Sequence, residues 1–470
     1  GYDRARVGVP KVCDCGRESC RYQCFMEVCA SNWYQVQICN HNLLLADAIH
    51  RNLGRRPLLP EWSTLILDEA HKLPEAARQM FGITLTAAEI HELIRVLRRE
   101  RYLLASENLE EAAGPVLREL ARPWDEDGTF SHFAPFLNRP NHTLELIQKQ
   151  IGTILPHRTQ RQLDQLRDKT ALFLQEQRDM IFYTAEDSHG GTMLCATAPN
   201  LTDQLRQTLW RQQKPMILTS GTLAVGEDFR RFKEATGLLT DSRVRESVSP
   251  SPFAYSRNCL MYVSRLPAHQ GAGQYYDSLT AEIAALLDAA HGHALVLFTS
   301  YAAMSAVKER LREQDLAYPL FTLGRNAVHT TKQFKNTPGG VLLATGAAWE
   351  GFDFPGDCVS LLVIPRLPFP IPDALKEKER EQYPTLHSFL RGIVVPEMQI
   401  KLKQGFGRAI RLETDTCVVA ILDERAARDQ RYWKDILAAL PEMPVTQDIH
   451  RVEAFIRSVK PDSYFQEGAA

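Results

Sequence analysis

The residues best suited to chemistry are Asp68, Glu69 and His71, which close the run Thr64-Leu65-Ile66-Leu67-Asp68-Glu69-Ala70-His71. Four apolar or β-branched residues are too few for a helix and suit a strand buried on both faces, as in a parallel sheet. Asp68 then stands at the strand's carboxyl end, where open α/β sheets place their ligands. A carboxylate there can hold Mg²⁺ through water, because a hard cation completes its shell with water and phosphate oxygens. Glu69 can orient and deprotonate a water that attacks a γ-phosphate. His71, one turn further, is expected to report the nucleotide state to a neighbouring domain.

Further groups of this kind lie downstream. Pro215 to Leu218 reads as another buried strand, closing on the small hydroxyl residues Thr219, Ser220 and Thr222, which can hydrogen-bond toward the acids. Thr299-Ser300-Tyr301 follows an apolar run and offers hydroxyls and helix amides suited to a backbone phosphate. In Gly346-Ala-Ala-Trp349-Glu350-Gly351-Phe352-Asp353, the glycines permit close backbone approach and Asp353 supplies one fixed acid. Gln404-Gly405-Phe406-Gly407-Arg408-Ala409-Ile410-Arg411 puts Gln404, Gly407, Arg408 and Arg411 at i, i+3, i+4 and i+7, one face if the segment is helical. Two arginines on one face can grip a phosphate, and arginine suits the charge that develops in phosphoryl transfer.

The elements that must position these groups are legible as periodicity. The 470 residues correspond to about three domains of ordinary size. A content of 44% hydrophobic and 24% charged residues is globular, and the net charge of −2 provides no overall basic field to draw the chain to nucleic acid or anionic membrane. No apolar run reaches the length of a membrane span. Tyr34 to Cys39 is strand-like, and Leu43 to Leu53 helical. Ile90, Leu93, Ile94 and Leu97 recur with helical spacing, and Arg95, Arg98, Arg99 and Arg101 occupy other faces. Helical text continues through Leu109–Leu120 and Leu144–Gln177, with breaks near Pro123 and Pro135–Pro140. Met180–Tyr183 and Thr192–Thr197 flank a glycine turn and read as a hairpin. From Asn258 onward, the apolar runs Cys259–Val263, Leu295–Thr299, Pro319–Leu323, Val341–Ala344, Leu361–Ile364 and Val418–Leu422 alternate with helices and loops, implying a parallel doubly wound sheet.

Six of the ten cysteines (Cys13, Cys15, Cys20, Cys24, Cys29 and Cys39) fall in the first 39 residues. Such a cluster points to metal or iron–sulfur ligation rather than disulfides. The spacing lacks the C-x₂-C pairs of zinc ribbons, which favours a cluster.

In order, the cysteine group, Asn40-His41, Asp68-Glu69-Ala70-His71, Ser220-Gly221-Thr222-Leu223, Trp349-Glu350-Gly351-Phe352-Asp353, Leu367-Pro368-Phe369-Pro370 and Gln404 to Arg411 resemble the DinG branch of the XPD-like superfamily 2 DNA helicases. The resemblance implies an α/β protein with two RecA-like parallel-sheet motor domains, a helical arch insertion and an iron–sulfur segment. The corresponding division is 1–40 for the iron–sulfur segment, 41–85 plus 181–250 for an incomplete first motor domain, 86–180 for the arch and 251–470 for the second motor domain. It further implies ATP hydrolysis coupled to 5′-to-3′ translocation on single-stranded DNA and strand separation, with ATP, Mg²⁺ and a [4Fe–4S] cluster as cofactors. Single-stranded DNA and DNA junctions would be the partners of a bacterial, cytoplasmic, nucleoid-associated monomer with no membrane attachment. By the same resemblance, Asp68 binds Mg²⁺ and Glu69 activates water, whereas Arg408 and Arg411, with Gln404 and Gly407, serve the γ-phosphate. Ser220 and Thr222 couple hydrolysis to motion, Gly351 and Asp353 lie near the nucleotide, and Thr299 and Ser300 touch the DNA backbone. Cys15, Cys20 and Cys24 match the family's compact ligand run, with Cys29 or Cys13 as the fourth ligand.

Two departures stand against that resemblance. The family's phosphate loop, G-x-x-x-x-G-K-S/T, is absent, so the chain looks like a fragment that is expected not to hydrolyse ATP at a useful rate. One cluster ligand of the family also normally lies upstream. Two other readings follow from the same residues: a non-motor DNA-binding scaffold with a degenerate nucleotide site, and a zinc-stabilised protein that binds RNA.

Overall fold

A computed structural model describes residues 21–29, 31, 33–123, 129–175, 180–187, 190–264, 272–314, 316–324, 327–349, 351–354 and 356–466. The chain forms two compact units. The first comprises Gly1–Ser220, Phe232–Ser242 and Pro372–Gln382; the second comprises Gly221–Arg231, Arg243–Ile371 and Tyr383–Ala470. Residues 243–250 therefore group with the second unit, and the helix Ala374–Glu381 groups with the first, where it packs on a strand of the hairpin.

The first unit has five strands among its described residues: β1 (Leu65–Leu67), β2 (Ile83–Leu85), β3 (Ile181–Glu186), β4 (Thr192–Thr197) and β5 (Met216–Leu218). β1 and β5 pair in parallel, and β2, β4 and β3 form an antiparallel sheet in that order, which includes the expected hairpin. Between β2 and β3 run four long helices, Ala87–Arg99, Leu103–Leu120, Ala134–Ile151 and His157–Gln175. The first begins with a reciprocal cap between Thr86 and Glu89, and it buries Ile90, Leu93, Ile94 and Leu97 as the periodicity predicts. Two of its arginines are paired, Arg95 with Glu92 at 2.6 Å and Arg98 with Glu110 at 2.5 Å. The expected break at Pro135–Pro140 does not occur. Pro135 lies in the first turn, where a missing N–H is harmless, and the helix continues through the buried Pro140.

Two further expectations fail for want of a partner. Tyr34–Cys39 is irregular and exposed, with Ile38 96% accessible, because no described strand pairs with it. β1 is not buried on both faces: Ile66 is 65% exposed, as is Ile217 opposite it at 54%.

The second unit contains β6 (Cys259–Val263), β7 (Ala294–Leu297), β8 (Leu320–Thr322), β9 (Val341–Ala344), β10 (Leu361–Ile364), β11 (Cys417–Ile421) and β12 (Val445–Thr446). They form one parallel sheet in the order β12-β6-β11-β10-β7-β9-β8. Every residue of β6, β7, β9, β10 and β11 is buried, as expected of strands covered on both faces. One face packs against Val395, Met398, Leu402 and Phe406 of the helix Val395–Phe406, and the other against Leu279, Ile283 and Leu286 of the helix Ala272–Ala289. Among the described residues, no helix is long and apolar enough to cross a membrane.

Candidate nucleotide and DNA site

The parallel pairing of β1 with β5 sets the acidic turn beside Thr219 and Ser220. The ladder continues past both strands: Thr219 N–H donates to the Leu67 carbonyl at 2.9 Å, and Ala70 N–H donates to the Thr219 carbonyl at 3.0 Å. The Ser220 hydroxyl donates to Glu69 Oε2 at 3.1 Å. With that proton committed, His71 Nδ1 is the donor across its 2.8 Å contact to Ser220 Oγ, and it also lies 3.2 Å from Glu69 Oε2. The hydroxyl and the acid thus meet as their positions at the strand ends predict, and His71 joins them. Asp68 is exposed, and its Oδ1 accepts the N–H of Glu69 at 2.9 Å. Glu69 itself has left-handed backbone, φ 47° and ψ 44°, a conformation unusual outside glycine.

A residue not singled out for this turn also takes part in it. His41 opens the helix His41–Asn52, which Asn40 caps by accepting the Leu43 N–H at 2.9 Å. From there, His41 Nε2 donates to the Asp68 carbonyl at 2.9 Å. The Asn40 cap was the available signal, since it fixes where the helix starts.

In the second unit, Trp349 is 1% exposed, and its indole N–H donates to the Phe298 carbonyl at 2.9 Å. Gly405 lies against that ring so closely that a Cβ would meet Trp349 Cζ3 at 2.8 Å. The arginine segment differs from expectation. The helix ends at Phe406 with Gly407 as its cap, so Arg408 and Arg411 do not share a helix face with Gln404, which is buried. They converge through the following turns instead. Both donate to the Phe352 carbonyl, Arg411 at 3.3 Å, and Arg411 Nε pairs with Asp353 Oδ1 at 3.0 Å. Asp415 Oδ2 accepts the Arg411 and Leu412 N–H groups at 2.8 Å each and fixes the turn. Gly351 at φ 88° permits the backbone path that presents the Phe352 carbonyl. Glu350 lies outside the described residues.

Thr299 and Ser300 follow β7, as expected. Ser300 caps the helix Tyr301–Glu313, accepting the Ala303 N–H at 3.2 Å. Thr222, two residues beyond Ser220, is buried in the second unit. Of the cysteine set, Cys13, Cys15 and Cys20 lie outside the described residues. Cys24 is exposed and Cys29 half-buried on the helix Arg21–Cys29, separated by about 140° around its axis. Among the described residues, no three His, Cys, Asp or Glu side chains are grouped to hold a metal ion.

A family model described as the helicase C-terminal domain matches residues 283–443. Over 450 residues the chain is 29% identical to the ATP-dependent DNA helicase YoaA of Escherichia coli, covering 90% of this chain and 69% of that protein. The chain is thus similar to proteins named as DinG and YoaA helicases. The ATP-dependent helicase DinG of Mycobacterium tuberculosis is 28% identical over 461 residues, 93% of this chain and 68% of that protein. Among solved structures, Xpd4 of S. tokodaii superposes with a TM-score of 0.55 at 15% identity, covering 87% of this chain and 81% of that one, and so shares the fold.

Proposed function

We propose that the chain carries the motor residues of an ATP-dependent DNA helicase that couples nucleotide hydrolysis to 5′-to-3′ movement on single-stranded DNA and to strand separation, and that the chain alone, without a phosphate loop, does not hydrolyse ATP at a useful rate. The observation that carries this is the Asp68, Glu69, His71 and Ser220 cluster at the carboxyl end of a parallel strand pair, in a chain related to named helicases. The exposed Asp68 carboxylate fits a Mg²⁺ ion, which supplies charge neutralisation at the phosphates when bound. Glu69 accepts the proton of the attacking water, and Ser220 holds its carboxylate in direction. A change in Glu69 on hydrolysis passes to Ser220 and His71 through the hydrogen bonds they share.

Arg408 and Arg411, with Gln404 and Gly407 setting the turn that carries them, serve the γ-phosphate, near Gly351 and Asp353. Thr222 acts with Ser220 in coupling. Thr299 and Ser300 contact the DNA backbone: Ser300 is exposed at a helix N-terminus, a favourable place for phosphate. Residues 1–40 would hold a [4Fe–4S] cluster through Cys15, Cys20 and Cys24 with Cys29 or Cys13, and the cluster would cross-link that segment. The exposure of Cys24 suits a ligand role. Residues 86–180 are the arch, and the working form is a monomer in the bacterial cytoplasm acting on single strands and junctions.

The test is DNA-stimulated ATP hydrolysis and strand displacement by the natural protein and its Glu69→Gln variant, on duplexes with either a 5′ or a 3′ single-stranded tail. Hydrolysis abolished by Glu69→Gln and unwinding confined to 5′-tailed duplexes support the reading. Hydrolysis that is indifferent to Glu69→Gln refutes the site, and unwinding from 3′ tails refutes the direction.

A further inference from the structure

The turn that carries Glu69 is held in an unfavourable backbone state, and both ends of one peptide group are pinned to keep it there. Glu69 sits at φ 47° and ψ 44°, where an L side chain crowds its own carbonyl. Rotation of the 68–69 peptide plane is the simplest route out of that state, since it changes ψ of Asp68 and φ of Glu69 together and leaves the rest of the chain in place. In this structure the plane cannot rotate freely. Its oxygen, the Asp68 carbonyl, accepts from His41 Nε2 at 2.9 Å, and its N–H, that of Glu69, is taken by Asp68 Oδ1 at 2.9 Å.

We propose that His41 is a positioning residue for hydrolysis: by holding the Asp68 carbonyl, it keeps the 68–69 peptide from flipping and so keeps the Asp68 and Glu69 carboxylates aimed. This rests on the function proposed for those acids. A carbonyl can only accept, so Nε2 carries the proton, and His41 stays a donor whether its ring is neutral or charged. The ring reaches the turn because Asn40 fixes the start of the helix from which it projects. Other constraints on the turn, Thr219 N–H to the Leu67 carbonyl on one side and Ala70 N–H to the Thr219 carbonyl, Lys72 N–H to the Glu69 carbonyl and the Ser220 and His71 contacts to Glu69 Oε2 on the other, flank this peptide and do not hold its plane.

Three variants of the natural protein test this: His41→Ala, His41→Gln, whose amide nitrogen stands where Nε2 does, and His41→Asn, whose amide is too short. Outer contacts that orient catalytic ligands are worth about 10–100-fold in activity. His41→Ala and His41→Asn are expected to lower kcat about 10-fold or more with KM for ATP unchanged and to raise the Mg²⁺ concentration required, whereas His41→Gln recovers most of the rate. Equal losses in all three, or none, overturn the proposal. A second measurement does not depend on hydrolysis. Glu69→Gly removes the backbone strain that a flip would otherwise relieve, so His41→Ala should lower the unfolding midpoint more in that background than in the wild type. Equal drops in both backgrounds overturn the peptide lock even if ATP hydrolysis is absent and the assigned function fails.

Discussion

Replacing Gly405 by alanine should destabilise the second unit, although alanine is the better helix former. On propensity alone, the change within the helix Val395–Phe406 would stabilise by about 1 kcal/mol. The added Cβ, however, meets Trp349 Cζ3 at 2.8 Å, Cε3 at 2.9 Å and Leu297 Cδ1 at 3.3 Å. The ring cannot swing aside easily, because it is fully buried and its N–H is tied to the Phe298 carbonyl. Overpacking a rigid core of this kind costs about 1–3 kcal/mol, which leaves a net loss of about 0–2 kcal/mol after the propensity gain. For a unit of this size, a 1 kcal/mol loss lowers Tm by about 2–4 °C. Gly407→Ala is the control: its Cβ would meet nothing nearer than the Gln404 carbonyl at 3.4 Å, so it should be neutral or slightly stabilising. Differential scanning calorimetry of both variants decides the matter. A Tm raised by Gly405→Ala would show that the Trp349 contact does not constrain the helix.

Other consequences are open to measurement. Asp423 is buried, and although burial raises its pKa, hydrogen bonds and charge from Arg425 hold it below the ordinary carboxylate value of about 3.9. Its contribution to stability is therefore present above that value and lost as pH falls through the lower folded one. Urea midpoints of wild type and Asp423→Asn should accordingly converge as pH falls below the ordinary carboxylate value, and a constant gap would refute the assignment. Asp415→Ala strips two backbone N–H groups of their acceptor and should reduce hydrolysis through Arg411 as well as stability, by about 1.5–3 kcal/mol in a denaturant titration. Changing Cys20 to serine should lower iron and sulfide content; full occupancy would exclude Cys20 as a ligand.

The parts of the fold legible in the sequence were those where burial leaves one pattern available. β6, β7, β9, β10 and β11 are covered on both faces, so each reads as an unbroken apolar run, and the run of β7 stops just before Thr299; the shorter runs of β1 and β5 stop before Asp68 and Ser220 in the same way, although Ile66 and Ile217 are exposed. What stayed hidden depends on partners distant in the chain. Ile38 and Ile66 look like buried strand residues until the missing neighbours are seen. The end of the helix at Phe406 was obscured because Arg408 and Arg411 happen to fit helical spacing, yet they converge through a turn fixed by Asp415. The left-handed backbone of Glu69 leaves no trace in local composition, and the Asn40 cap marks where the helix of His41 begins but not its reach across 27 positions.

On the proposed assignment of Arg411 to the γ-phosphate, its ion pair with Asp353 has a bearing on ligand turnover. A guanidinium already matched to a neighbouring carboxylate presents little bare charge, so an arriving anion must displace that carboxylate rather than fill an empty field. Capture is weaker for it, but the carboxylate stands ready to reclaim the arginine as soon as the anion loses charge or shifts, which hastens departure. An enzyme that must discharge its spent ligand every cycle gains from such a standing competitor, and the tightest grip would be the slowest motor.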